Sequence, residues 1–144
     1  QRLYRIIPKT IDYFSKGKIL PLHGSGKSLR SFIHIDDVSS AIFITLKKGK
    51  IGETYHVATN QMITIKNLVK FIAKILNKDL KKSILNKKDR MGKDKFYKLN
   101  SNKIKQLGWK PKISLKMGLE RVLKWYQLYQ NSFYNDDYIY KHKK

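Results

Sequence analysis

The 144 residues predict an α/β fold. Three observations carry that expectation. Apolar residues recur at helical spacing in five segments, short β-type runs bounded by glycine lie between them, and the order reads β, β-α, β-α and then helices. Apolar residues make up 41% and aromatics 12%, enough to bury one core and too much for a disordered basic tail. No apolar run approaches the roughly 20 residues that cross a bilayer, so no membrane partner is expected.

Each element has a local reason. Ile7, Ile11 and Phe14 recur at spacings of four and three, so 6–15 reads as a helix closed by Gly17. Residues 19–22 form a short apolar run ended by Gly24 and Gly26, a strand and a turn. Residues 31–35 alternate, with Phe32 and His34 on one face, and read as a second strand. A helix follows, capped by Asp36 or Asp37, with Val38, Ala41, Ile42, Thr45 and Leu46 as its buried stripe. Residues 53–58 read as a third strand. Thr64 is a natural N-cap for a helix whose inner face is Ile65, Leu68, Val69, Ile72 and Leu76. Residues 77–95 are polar and read as a loop with one short strand. Ser101 is expected to cap a brief helix ending at Leu107 and Gly108. Ser114 caps the last helix, where Leu115, Leu119, Val122, Tyr126 and Tyr129 repeat at four, three, four and three. This places one domain over 1–130 and a charged, aromatic, frayed tail over 131–144.

The net charge is +22, which first points to nucleic acid. Its make-up points away: 27 of the 32 basic residues are Lys, and the five Arg are Arg2, Arg5, Arg30, Arg90 and Arg121. Arginine, not lysine, makes the forked contacts to bases and phosphates. Lysines scattered among apolar residues cover solvated helix faces, and a stand-alone nucleic-acid-binding module is the weaker alternative. With no cysteine there is neither disulfide nor thiolate chemistry, which fits a cytoplasmic chain. No signal peptide is visible. The chain opens on Gln1 and reads as a piece of a longer one.

Among the motifs, 'HGSGKS' (23–28) resembles the end of a phosphate-binding P-loop, but Pro21 stands where the first glycine belongs and the segment leads into a strand. It reads as a turn. 'HIDD' (34–37) has metal-ligand chemistry, yet its aspartates stand where a helix begins, so capping is the simpler reading. His23 and His56 are isolated, and the stripe of Trp125, Tyr126 and Tyr129 reads as packing. Arg30 follows a glycine turn at the mouth of a strand. Arg90 lies in the polar loop 'DRMGKD' with Gly92 and Lys93. Two cationic points beside glycine turns can bracket a pyrophosphate, the Arg30 fork on one phosphate.

These segments together carry a resemblance. 'LPLHGSGKSLRSFIHIDDVSSAI', 'GETYHVAT', 'DRMGKDKFYKLNSNKIKQLGWKP' and 'GLERVLKWY' resemble, in order and spacing, the C-terminal half of the dTDP-glucose 4,6-dehydratases, over residues 1–129. Those are extended short-chain dehydrogenases/reductases of the NAD-dependent epimerase/dehydratase family. The resemblance implies a Rossmann-type α/β enzyme of which this is the C-terminal, substrate-binding portion, with the N-terminal NAD-binding half absent. It implies a lyase that converts a sugar nucleotide such as dTDP-glucose to its 4-keto-6-deoxy form for cell-surface glycans, with NAD as cofactor and a homodimeric parent. An epimerase or decarboxylase of the same superfamily shares this half. The family's glycine turn is not found, and no Tyr lies four residues before a Lys beside an NAD site, since Tyr134, Tyr138 and Tyr140 belong to the tail; no catalytic group and no NAD contact is assigned here, and the chain alone is expected to be inactive. By position, Arg5 and Ile6 would approach the sugar nucleotide. Pro21, Leu22 and His23 would line the nucleobase slot. Arg30 would hold the pyrophosphate, with Arg90 and Lys93 closing over it. His23 stands where the family often has Tyr, and Lys93 where it often has His, which leaves the base open among dTDP, UDP, CDP and GDP.

Overall fold

The computed structural model describes residues 2–89, 92 and 94–133. The observed order is α1 (Ile6–Ser15), β1 (Leu20–His23), a 3-10 turn (Gly24–Gly26), β2 (Leu29–Ser31), α2 (Ile35–Lys48), β3 (Met62–Thr64), α3 (Ile65–Ile75), α4 (Leu80–Ser83), β4 (Ile84–Lys87), α5 (Asn102–Gln106) and α6 (Leu115–Tyr129). The α/β class is as expected. β1 and β4 pair in parallel, Leu20 with Ile84 through His23 with Lys87. β2 and β3 pair antiparallel, Leu29 with Thr64, Arg30 with Ile63 and Ser31 with Met62.

Helices α3 and α6 form where their apolar residues repeat and a hydroxyl caps them. Thr64 accepts from the Asn67 amide at 3.1 Å, and Ser114 accepts from that of Met117 at 3.3 Å. Each cap contributes about 1 kcal/mol. The main core joins Ile11 and Phe14 of α1, Leu20 and Leu22 of β1, Leu68, Val69 and Ile72 of α3, and Leu119, Leu123 and Tyr126 of α6. Tyr126 brings a polar end into that core, where its hydroxyl donates to Asp12 Oδ1 at 2.7 Å; Lys16 Nζ is 2.6 Å from the same oxygen. A second cluster packs Ala41, Ile104 and Trp109 with Ile33, Ile44, Tyr55 and Val57 around it. No helix among the described residues is long and apolar enough to cross a membrane.

Several expectations are corrected. The first strand is one residue later than 19–22, because Leu20 and Leu22 take the buried face and Ile19 is exposed. The second is Leu29–Ser31 rather than 31–35, since its partner β3 ends opposite Ser31. Beyond it, Thr59 Oγ1 donates to the Phe32 carbonyl at 3.3 Å in place of a ladder. Helix α2 is capped by His34, whose Nδ1 accepts from the Asp36 amide at 3.2 Å, and not by either aspartate. Ala41 is buried as expected, but Ile42 and Leu46 are exposed because the helix turns Asp37, Ala41 and Ile44 inward. Residues 53–58 have no ladder partner among the described residues; Tyr55 and Val57 pack against the second cluster instead.

The loop 77–95 does carry one short strand, β4, together with the unexpected α4. Ser101 does not cap α5: its backbone is not extended, and the Asn100 side chain takes the Asn102 amide at 2.8 Å. On α6, Leu123 is buried, while Trp125 and Tyr129 are exposed with ring centroids 5.4 Å apart, so that pair is not core packing. A 3-10 turn continues over Gln130–Phe133, so the expected boundary at 130–131 falls inside it. The rest of the tail expected to fray, 134–144, lies outside the described residues.

Candidate functional site

The carboxyl ends of the parallel strands β1 and β4 are where this fold places loops and polar groups together. β1 ends at His23, and its Nδ1 lies 3.2 Å from the carbonyl of Lys88, the residue after β4. The chain then makes a tight left-handed turn, with φ of 59°, 51° and 67° at Gly24, Ser25 and Gly26. Gly26 is required by its surroundings, and Gly24 is favoured by its left-handed φ. A Cβ on Gly24 would fall 2.3 Å from the Asp89 carboxylate, and one on Gly26 would fall 2.7 Å from the Lys66 amide at the start of α3. The turn leads into strand β2 rather than a helix, so 'HGSGKS' has the wrong geometry for a P-loop.

Arg30 sits half-buried in the middle of β2. Nη1 donates to the Leu29 carbonyl and Nη2 to the Asp94 carbonyl, both at 2.7 Å. Two of the five guanidinium N–H groups are thereby held by neutral backbone oxygens, which fixes the fork and leaves its charge unneutralised by these bonds. The segment that supplies Asp94 is itself tied to β2, because the Leu29 amide donates to the Lys95 carbonyl at 2.9 Å and Leu29 bridges Phe96. Lys88 and Asp89 therefore stand beside His23 and Gly24, while Asp94 and Lys95 stand beside Leu29 and Arg30. The structure brings one flank of 90–93 to His23 and Gly24 and the other to Arg30. Arg90 and Lys93 themselves lie outside the described residues.

The remaining predicted residues divide. Pro21 and His23 share one face of β1 and are half-buried, while Leu22 alternates to the other face and is 2% exposed in the core. Leu22 can offer a ligand only its backbone. Arg5 is exposed at the N-cap of α1, its guanidinium 5.3 Å from the Tyr4 ring, and is not among the residues hydrogen-bonded into the cluster. Ile6, beside it, is half-buried against the main core.

Sequence reasoning missed the role of Asp37. Its carboxylate is 3% exposed and accepts the amides of Lys112 and Ile113 at 2.9 and 3.0 Å, while its carbonyl accepts Trp109 Nε1 at 3.1 Å. Ser40 Oγ accepts the same indole N–H at 3.0 Å. 'HIDD' is thus three separate devices: His34 caps α2, Asp36 pairs with Arg121 at 3.0 Å, and Asp37 ties α2 to the segment before α6. Among the described residues no three metal-ligating side chains are gathered. Also missed was an apolar groove of ≈610 Å³ between α1, α2 and α6, lined by Ile7, Phe32, Val38, Val122 and Trp125 among others, and separate from the Arg30 cluster.

Comparison with known proteins bears on the family and the fold. A family model described as GDP-mannose 4,6 dehydratase matches residues 2–122. A trifunctional UDP-glucose 4,6-dehydratase/UDP-4-keto-6-deoxy-D-glucose 3,5-epimerase/UDP-4-keto-L-rhamnose-reductase of Arabidopsis thaliana is 33% identical over 122 residues, covering 85% of this chain and 18% of the relative. Human dTDP-D-glucose 4,6-dehydratase is 33% identical over 128 residues, covering 85% of this chain and 37% of that enzyme. The crystal structure of a dTDP-glucose 4,6-dehydratase from Streptomyces venezuelae with NAD bound superposes with a TM-score of 0.88 at 31% identity, over 93% of this chain and 42% of that one. The chain therefore spans well under half the length of these relatives.

Proposed function

Because the chain belongs to the GDP-mannose 4,6 dehydratase family, we propose that it is the sugar-nucleotide-binding part of an NAD-dependent nucleotide-sugar 4,6-dehydratase. The observation that carries this reading is Arg30, oriented by the carbonyls of Leu29 and Asp94, the latter on one limb of the loop whose other limb meets β1 at His23 and Gly24. A forked guanidinium with donors to spare matches the two oxygens of a phosphate. Pro21 and His23, on the outer face of β1, bound the nucleobase side; Arg90 and Lys93, outside the described residues, are proposed as further pyrophosphate contacts. Arg5 and Ile6 approach from the start of α1.

This part acts by positioning. Fixing the nucleotide end holds the hexose in one place, and a fixed hexose reacts at a high effective molarity. NAD supplies the hydride acceptor in the reaction of this family. The described residues do not fit it: the left-handed glycine turn runs into a strand, and α3, the helix that directly follows a strand, starts at Thr64 without glycine. The cofactor and the proton-transferring groups are assigned to the remainder of the enzyme, and the chain by itself turns nothing over.

The test is a titration of dTDP-glucose and UDP-glucose into the purified chain by saturation-transfer NMR. Arg30→Ala is expected to cost roughly 2 kcal/mol, about a 30-fold loss of affinity. Equal affinity in the two proteins would remove Arg30 from the site. Affinity that changes little as salt rises supports a pocket, whereas a steep decline matches counterion release by a nucleic-acid surface.

A further inference from the structure

Helix α3 buries one side and turns a row of lysines outward. Leu68 and Ile72, both 0% exposed, face the main core. Lys66, Lys70 and Lys74 follow one another at four-residue steps, so they lie within about 80° of one another and about 6 Å apart along the axis. All three are exposed. The row continues past the helix. The Lys78 amide donates to the Ala73 carbonyl at 2.9 Å, which keeps the chain coiled, and Lys81 and Lys82 follow on α4.

Lysine is an ordinary residue on a solvated helix face; what sets α3 apart is that it has no acid beside its lysines. The other long helices mix their charges. Lys16 lies 2.6 Å from Asp12 on α1, Lys116 lies 3.9 Å from Glu120 on α6, and Arg121 of α6 lies 3.0 Å from Asp36 of α2. Residues 54–88 hold eight Lys, no Arg and one acidic residue, Asp79. The Asp79 carboxylate is used to cap α4, where it accepts the Lys81 amide at 2.9 Å. Among the described residues none of these eight lysine side chains is in an ion pair. Like charges four residues apart repel and weaken a helix, so the row opposes the fold that carries it.

A convex row of compact, hydrated ammonium groups matches a diffuse anionic surface. No large apolar side chain of α3 is exposed, so this face has nothing to insert among acyl chains. It also has no exposed aromatic ring to stack on a base and no arginine to fork onto one. We propose that the outward face of α3, continued by Lys78, Lys81 and Lys82, rests the protein on an anionic lipid bilayer by charge alone. No helix among the described residues is long and apolar enough to cross a membrane, and this contact needs none. The inference does not depend on the nucleotide site at the ends of β1 and β4.

The test is co-sedimentation of the purified chain with sucrose-loaded vesicles. Binding is expected to phosphatidylcholine vesicles holding about 30% phosphatidylglycerol and not to phosphatidylcholine alone, and about 0.5 M salt should release the chain. Each lysine near such a surface is worth about fivefold in partitioning, so Lys66→Gln, Lys70→Gln and Lys74→Gln together should weaken binding about 100-fold. Lys47→Gln, Lys48→Gln and Lys50→Gln remove the same three charges at the end of α2 and just beyond it, and should weaken binding by less than about fivefold. Both triple variants should keep the circular dichroism of the parent chain, since all six side chains are exposed. No binding to the anionic vesicles, binding that salt does not reverse, or equal losses in the two triple variants would each overturn the proposal. So would a DNA duplex that the chain holds more tightly than the vesicles and releases in the α3 triple variant, which would make nucleic acid the occupant.

Discussion

Removing the Asp37 carboxylate is the perturbation whose cost the structure defines best. Asp37→Ala leaves the Lys112 and Ile113 amides, now bonded at 2.9 and 3.0 Å, facing a half-buried space without an acceptor. A hydrogen bond to a charged group contributes roughly 1.5–3 kcal/mol. Two such bonds therefore make the expected loss about 3–6 kcal/mol. Asp37 also lies in the first turn of α2, where a negative charge adds a few tenths of a kcal/mol more. The bond from Trp109 uses the Asp37 backbone carbonyl and survives the substitution, so the indole reports unfolding without being the cause of it. Asp37→Asn keeps one acceptor oxygen and presents an amide to the second N–H; its loss should be about half as large. The assay is urea unfolding followed by Trp109 emission in a Trp125→Phe background and by circular dichroism. An alanine variant within about 1 kcal/mol of the parent would refute the reasoning, and would mean that the segment before α6 is held by packing alone.

Other outcomes follow from the same contacts. Tyr126→Phe removes the buried bond to Asp12 at 2.7 Å and should lower stability by about 1–2 kcal/mol in the same assay. Gly26→Ala meets both a left-handed φ of 67° and the Lys66 amide at 2.7 Å, whereas Gly17→Ala, at φ 65°, meets nothing within 4 Å. The Gly17 variant should lose about 1–2 kcal/mol by backbone strain alone, and the Gly26 variant measurably more, as compared by thermal melting. Arg121→Ala breaks only an exposed pair with Asp36 and should shift the melting curve by less than about 1 kcal/mol.

The sequence disclosed what is local. Helices α1, α3 and α6 were legible because each repeats apolar residues at helical spacing, and Thr64 and Ser114 cap through bonds within one turn. Strands were less legible because a ladder needs a distant partner. β2 is short because β3 ends opposite Ser31, a fact nothing within 31–35 encodes. Alternation along β1 turns Leu22 to the buried face, so an expected slot residue is core. His34 rather than Asp36 or Asp37 caps α2 because Asp37 is drawn to amides 75 and 76 residues away. Periodicity identified Ile42 and Leu46 as apolar stripe residues, but it cannot say whether a stripe meets the chain's own core or another surface. Arg30 was legible as a scarce arginine after a glycine turn. The carbonyls that orient it come from its neighbour and from a loop 64 residues on, which only the fold brings together.

The account stands or falls on where a sugar nucleotide binds. An amide-resolved NMR titration of the chain with dTDP-glucose reports that location even when binding is weak. The shifts should concentrate at 21–30 and 88–96, around His23, Arg30 and the Asp94 carbonyl, and should vanish in Arg30→Ala. Shifts confined to the groove of Val38, Val122 and Trp125, or shifts unchanged by the Arg30 substitution, would contradict the assignment of the nucleotide site to the ends of β1 and β4.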